Sequence, residues 1–370
     1  MDTIHHLNTI DSPALIVYKE TIIENIRKAI EIAGGNALRL RPHVKTNKTV
    51  EICQLMMYEG ITKFKCATVA EAEMLAIAGA PDILLAYQPT GPKIERLLRL
   101  IKTWPLSRFS CLIDNPQTAL EINDEIERFT NHDSSFTLDV FIDVNVGMTR
   151  TGLPLSQVLD LAKYTLLLKH LRIAGLHGYD GHIHDTDILL RQQAVDHAFA
   201  GWNTVLQSLR SLVDYPLTQI AGGTVSFPVH IRREQVECSP GTFVLWDHRY
   251  SSLFPDLPFR QAAFILCRVI SVMDKQHICI DVGCKSVASE HPLPRIYFPQ
   301  TPEINPIAHS DEHLVTEVPD SSLFRVGTVL FGIPNHICPT VALYEKMYVV
   351  ENNQISTAWK VIARDRCITI

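Results

Sequence analysis

Between roughly residue 20 and residue 250, short apolar runs alternate with amphipathic stretches. The runs at 38–44, 63–68, 83–86, 110–113, 140–144, 173–177, 219–222 and about 235–238 have strand length and turn residues at their ends. Helical spacing fills the gaps. It is visible over 19–33, over 69–78 with Ala70, Met74 and Ile77 on one face, and over 189–212, where Val195, Trp202, Leu206 and Leu209 recur. Thr68 and Asn115 stand where N-caps are needed. Eight strands alternating with helices predict a (β/α)8 TIM barrel. A doubly wound sheet also alternates, but usually with fewer strands.

After about residue 255 the texture changes. The stretches 262–272, 277–282, 323–331 and 346–350 are rich in Ile, Val, Phe and Tyr, with no long helical period. They predict a mainly β domain, with a proline-rich loop over 292–310. The expected organisation is an α/β chain. A barrel covers 15–254 and a β domain covers 255–370, with residues 1–14 free to pack on the latter.

Composition narrows the class. The chain has 370 residues, 46% apolar and 20% charged, which suits one large soluble domain and a smaller one. A net charge of −6 with no basic stretch argues against nucleic acid as a partner. No apolar run reaches the ~18 residues of a membrane span. Residues 1–6 show no basic region leading into an apolar core, so no export signal is expected. Nine cysteines are scattered without a CxxC pair, so reduced thiols and a cytoplasmic location are expected.

The chemistry concentrates where a barrel places it, just after the strands. Lys45 ends the first run, and a lysine at a barrel mouth can hold a carbonyl cofactor as a Schiff base. Arg39, Arg41 and Lys48 lie nearby, so a solvated lysine in a basic turn is the plain alternative. Asp143, Asn145 and Arg150 follow the fifth strand, and Arg150 reads equally well as an ion-pair partner of Asp143. The sixth is followed by Gly175-Leu176-His177-Gly178-Tyr179-Asp180-Gly181-His182-Ile183-His184-Asp185, rich in histidine and glycine. Gly222, Gly223 and Thr224 follow the seventh, and Gly241 and Thr242 the eighth, where barrels commonly hold a phosphate. An aldehyde-binding lysine beside a phosphate cradle points to pyridoxal 5′-phosphate (PLP), with Arg150 and Tyr179 against its ring. In the β domain, His336 and Cys338 would share one face of an extended strand and reach one ion, zinc by donor softness, although two buried structural residues would show the same spacing.

Several of these segments resemble one family. Arg41-Pro42-His43-Val44-Lys45-Thr46 looks like a cofactor-lysine motif, and Cys66-Ala67-Thr68-Val69-Ala70-Glu71-Ala72-Glu73 like a second-strand signature. Asp143-Val144-Asn145-Val146-Gly147-Met148-Thr149-Arg150-Thr151-Gly152, Ile280-Asp281-Val282-Gly283-Cys284-Lys285 and His336-Ile337-Cys338-Pro339-Thr340 extend the likeness over nearly the whole chain. The chain resembles the D-threonine aldolase and D-serine dehydratase group, alanine racemase-like PLP enzymes with a barrel and a β domain. It departs from many relatives at Asn47, where a histidine is expected, and at Ser226-Phe227, where a small residue is usual.

The resemblance implies that Lys45 carries the cofactor. Gly222, Gly223, Thr224, Gly241 and Thr242 hold its phosphate, and Tyr179 and Arg150 contact its ring. His336 and Cys338 bind a divalent metal (zinc first, then manganese or magnesium) that meets the substrate hydroxyl. It implies a lyase for D-configured β-hydroxy amino acids and a homodimer, the β domain of one subunit facing the other's barrel. A thiolate at position 338 looks more like the dehydratases. A D-threonine aldolase with His182 or His184 as base is the alternative. An amino-acid racemase and a non-catalytic PLP carrier are more distant readings.

Overall fold

The computed structural model describes residues 7–131 and 135–370. Residues 1–6, where no export signal is expected, lie outside this range. The chain divides into two compact units, each assembled from separate segments. One comprises Met1–Lys28, Thr46–Ile52 and Thr242–Arg364, and the other Ala29–Lys45, Cys53–Gly241 and Asp365–Ile370.

The second unit is the barrel. Its seven parallel strands are Lys63–Cys66, Asp82–Leu85, Arg108–Ile113, Leu138–Val144, Leu171–Gly178, Thr218–Ala221 and Val236–Cys238, hydrogen-bonded in sequence order. The expected first strand, 38–44, differs. Ala37–Arg39 is a 3-10 turn capped by Asn36, and the residues after it make only two bridges, Leu40↔Cys238 and His43↔Lys65. These still join the outermost strands of the seven. The Arg41 N–H donates to the Cys238 carbonyl (2.8 Å), and the Val44 N–H to that of Lys65 (2.9 Å). Pro42 has no N–H, so a full ladder cannot form here.

Leu84, Leu112, Phe141, Ala174 and Ile220, one from each of five strands, pack into a single apolar cluster. Two residues along the strand from Phe141, on the same side of the pleat, comes Asp143, which sits level with His177 on the next strand. The predicted caps are present. Thr68 Oγ1 accepts from the Glu71 N–H (3.0 Å), and Asn115 Oδ1 from that of Thr118 (2.9 Å). The helix expected over 189–212 is two helices, Ile188–Ala198 and Trp202–Arg210. Gly201, at φ +82°, takes the left-handed conformation that ends the helical path between them.

The first unit is built on a nine-stranded sheet. At its centre Ala263–Val272 pairs antiparallel with Ala14–Tyr18, His277–Ile280 and Val329–Pro334. Ala14–Tyr18 also pairs parallel with Lys346–Glu351, so the first strand of the chain belongs to this sheet. Residues 292–310, expected as a loop, contain the strands Ile296–Tyr297 and Asn305–His309. Neither displays the Val/Ile alternation that marks a strand, since Ile296–Tyr297 is two residues long and Asn305–His309 lies at the edge of the sheet. None of the nine cysteines forms a disulfide, and six are buried. No helix among the described residues is long and apolar enough to cross a membrane.

Candidate functional site

Each unit gathers one group of reactive side chains. In the barrel unit, a cavity of about 690 Å³ is lined by Lys45, Lys65, Asp143, Arg150, His177 and Tyr179, among others. Lys45 Nζ and Lys65 Nζ each lie 5.5 Å from the Tyr179 ring centroid, and the Arg150 guanidinium carbon lies at 5.0 Å. Two glycines make room for that ring. A Cβ on Gly181 would come within 2.4 Å of it, and one on Gly223 within 3.0 Å.

Lys65 is the least comfortable group in the cavity. Its side chain is buried, and its Nζ makes no hydrogen bond. Burial first, and the neighbouring Lys45 charge second, push its pKa down to about 7. His177 donates or accepts at Nδ1 with Asp143 Oδ1 (2.7 Å), while its Nε2 has no partner. Burial and the Lys65 charge lower the His177 pKa, which favours the neutral ring. With Nδ1–H turned to the carboxylate, Nε2 is then an acceptor. Burial raises the Asp143 carboxyl, but the hydrogen bond and charge of His177, with Thr151 and the Lys65 charge, together outweigh it and keep it ionised. The carboxylate's partner is thus His177, while Arg150 lies over Tyr179.

A second buried carboxylate organises the loop that carries Gly222 and Gly223. Asp180 accepts from Ser226 Oγ (2.7 Å) and pairs with His230 Nε2 (2.7 Å). Ser226 Oγ in turn accepts from the Gly223 N–H (3.1 Å), so this departure from the family pattern has a local role. The Gly241 N–H donates to Thr224 Oγ1 (2.9 Å). Gly222 has φ +80°, and a Cβ there would meet His230 at 2.6 Å, so only glycine fits. Thr242 falls in the other unit. His182 and His184 are exposed and line no part of the cavity.

In the first unit, His336 is not on an extended strand. It caps the helix Ile337–Leu343, which puts Cys338 in the first turn. Cys338 Sγ lies 3.0 Å from Thr46 Oγ1 and 3.6 Å from Thr242 Oγ1. His336 also pairs through Nδ1 with Glu290. Glu290, His291 and His336 each offer one ligand atom within 4.8 Å of the others. Burial works against the charged His336 ring, but Cys338, Glu290 and Asp247 outweigh it and hold its pKa at about 9. Buried Asp247, which accepts from the Tyr250 and Ile337 N–H groups, is pushed up to about 6 by desolvation.

Lys65, His177, Glu290 and His291 were not singled out by pattern. Lys65 had a visible signal, a charged residue inside the short strand Lys63–Cys66 between Phe64 and Cys66. His177 lay within the histidine-rich segment but was passed over for its neighbours. Glu290 and His291 have no periodic context, and only tertiary structure brings them to His336.

The residues present fit both absent groups. For PLP, the fit lies in two buried nitrogens without partners, Lys65 Nζ and His177 Nε2, beside Lys45 in an open cavity. For a divalent cation, it lies in imidazole and carboxylate donors close enough to share one ion, with a thiol two residues from His336.

A parallel barrel with a lysine at its cavity, carried with a β-sheet unit, defines an alanine racemase-like architecture. The chain belongs to the family described as "Alanine racemase, N-terminal domain", whose model matches residues 17–241. A second model, "Putative serine dehydratase domain", matches residues 262–350. The chain is 27% identical to the 3-hydroxy-D-aspartate aldolase of Paracoccus denitrificans (strain Pd 1222), covering 96% of this chain and 93% of the relative. It is 27% identical to the D-threonine aldolase of an Arthrobacter species, covering 97% and 94%. The crystal structure of D-threonine aldolase from Filomicrobium marinum superimposes with a TM-score of 0.87 at 24% identity, covering 97% and 96%.

Proposed function

We propose that the chain is a PLP- and divalent-metal-dependent lyase for D-configured β-hydroxy amino acids, of the D-serine/D-threonine dehydratase type. The observation that carries this reading is the cavity lined by Lys45, Arg150, His177 and Tyr179, with the Lys45 amine and the Arg150 guanidinium over the Tyr179 ring. PLP bound there supplies an electron sink for negative charge at the substrate's Cα. Lys45 would hold the cofactor through its Nζ and, as a free amine, would be the group that takes up the Cα proton. Tyr179 would pack against the ring, with Arg150 beside it. Gly222, Gly223, Thr224, Gly241 and Thr242 would hold the phosphate, once the Gly223 and Gly241 N–H groups exchange their present hydroxyl partners for it.

His336 and Cys338 would hold a divalent cation, zinc by donor softness, whose Lewis acidity eases departure of the β-hydroxyl. A cytoplasmic homodimer is the setting this reading expects. Cleavage of Cα–Cβ, as in an aldolase, is the second reading, and the names of the relatives favour it. It needs a base for the β-hydroxyl proton. His177 lines the cavity, whereas His182 and His184 do not.

Product analysis decides. The purified enzyme, loaded with PLP and zinc, should release ammonia and a keto acid from D-serine or D-threonine, and lose that activity on chelation. Glycine and an aldehyde from D-threonine would establish the aldolase instead. Chelator-insensitive interconversion of D- and L-alanine would overturn both.

A further inference from the structure

The short strand Lys63–Cys66 carries two lysines in opposite circumstances. Lys63 is part-exposed and paired with Glu237. Lys65, two residues on and on the same side of the pleat, is 2% exposed. Its Nζ has no hydrogen-bond partner among the described residues. It lines the same cavity as Lys45, and both amines stand 5.5 Å from the Tyr179 ring centroid. The chemistry described above gives this second amine no task.

Its surroundings explain why it stands alone. Burial disfavours its charge first, then the Lys45 and Arg150 cations, while Asp143 and Asp180 favour it. Neither carboxylate is hydrogen-bonded to it. Asp143 pairs with His177, and Asp180 with Ser226 and His230. His43 lies beside it across a strand bridge, and Tyr87, Asp114 and Arg366 line the cavity further along. With a pKa of about 7, roughly half the molecules hold a neutral amine there at neutral pH. An anionic oxygen brought to that amine would supply both the acceptor and the opposite charge that it lacks, and the amine would then keep its proton. PLP and an amino acid bring two such oxygens besides the phosphate. One is the ring oxygen, ortho to the aldehyde that Lys45 takes, and the other is the substrate's carboxylate. Arg150 can meet one of them, which leaves the other for Lys65.

We propose that Lys65 is a ligand-binding residue whose buried amine takes up a proton from solvent when a bound ligand brings an anionic oxygen to it. That oxygen is the cofactor's ring oxygen or the substrate's carboxylate. This deepens the lyase reading above and rests on it. Lys65 thereby ties occupancy of the cavity to proton uptake. The sign follows from linkage: the ligand-bound amine holds a proton that the empty cavity releases as pH rises through about 7, so binding through Lys65 weakens above that pH.

The test counts protons and needs no turnover. Calorimetry in buffers of different ionisation enthalpy measures proton uptake on binding to the wild type and to Lys65→Met. In one arm pyridoxine 5′-phosphate, which has the ring oxygen but no aldehyde for Lys45, is added to cofactor-free protein. In the other, 3-hydroxypropionate, which lacks the substrate's amine, is added to PLP-loaded protein. If the ring oxygen is the partner, the wild type should take up ~0.9 proton more than Lys65→Met at pH 8 in the first arm, and ~0.1 more at pH 6. Its affinity advantage over the variant should shrink roughly 10-fold between pH 6 and pH 8. At pH 8 the depressed His177 ring is neutral in both proteins and adds nothing. A difference confined to the second arm assigns the partner to the substrate carboxylate. Lys65→Arg, charged at every pH, should keep affinity without the uptake, which separates charge from lost packing. Circular dichroism melting confirms that the variants fold. Equal proton counts in wild type and Lys65→Met at pH 8 in both arms overturn the proposal. If pyridoxine 5′-phosphate binds neither protein and PLP loads neither, the cofactor reading falls, and 3-hydroxypropionate added to the unloaded proteins alone decides the role of Lys65.

Discussion

The barrel cavity and the Glu290–His291–His336 group both concentrate polar side chains, but they control charge by opposite means. In the cavity, desolvation dominates at Lys65 and His177, although partners keep Asp143 ionised. Lys65 is stripped of water and partners, and its proton is weakly held. At His336 itself partners dominate, although desolvation still raises the neighbouring Asp247. Glu290, Cys338 and Asp247 outweigh partial burial, so the ring's proton is held tightly. The first arrangement suits nucleophilic amines and bound anions. The second suits a cation, which would take the place of the His336 proton.

The sharpest way to separate the two regions is Lys45→Ala. If Lys45 holds the cofactor, this variant loses the absorbance band of the lysine-bound cofactor, which borohydride would otherwise fix in place. Activity falls by roughly 10²- to 10⁴-fold, the usual value of a positioned acid–base group. Zinc content, measured by elemental analysis, stays at the wild-type level. A cofactor band that persists in the variant would sink the assignment of Lys45.

The next effect comes from Lys65 and is read as stability. Its pKa is about 7 in the folded chain against 10.5 in the unfolded one. Between those values the unfolded chain binds a proton that the folded chain has released. Stability therefore rises with pH across that window, and below about 7 the full penalty applies. Lys65→Met removes the penalty. It should stabilise the cofactor-free protein by roughly 4 kcal/mol at pH 6 and by much less at pH 9. Urea unfolding of both proteins at pH 6, 7.5 and 9 measures this. Parallel curves would mean that the amine finds water or a partner in solution.

The two regions also differ in how far the sequence exposed them. Alternation of apolar and helical segments revealed the barrel, because each strand and helix carries its period locally. Lys45 and the glycine loops followed from their places after the strands. The 38–44 segment misled only in its regularity, since Pro42 limits the ladder while the chain still runs beside Lys65 and Cys238. The edge strands within 292–310 were hidden because prolines and polar residues mask them. The metal candidates were half legible. The spacing of His336 and Cys338 was visible, but its strand geometry was not, because a helix starts at Ile337. Glu290 lies 46 residues from His336, and only the fold brings them together.

The smallest effect bears on that half-legible group. Glu290 pairs with His336 Nδ1, so it would either ligate the cation or orient the imidazole that does. In both roles it should matter less than His336 itself. Glu290→Gln is expected to weaken zinc binding by about 10- to 100-fold, the usual cost of losing a carboxylate that supports a ligating histidine. His336→Ala should abolish zinc binding outright. Substitution of cobalt(II) for zinc separates the donors. A sulfur-to-cobalt charge-transfer band lost in Cys338→Ser but retained in Glu290→Gln would place the thiolate on the metal and Glu290 behind the histidine. A wild-type spectrum without that band, combined with weakened binding in both Glu290→Gln and His291→Ala, would move the ion to the Glu290–His291–His336 set. In every one of these variants the cofactor band of the barrel should be unchanged. If it shifted, the contrast between a cavity ruled by desolvation and a cluster ruled by partners would no longer describe two separable regions.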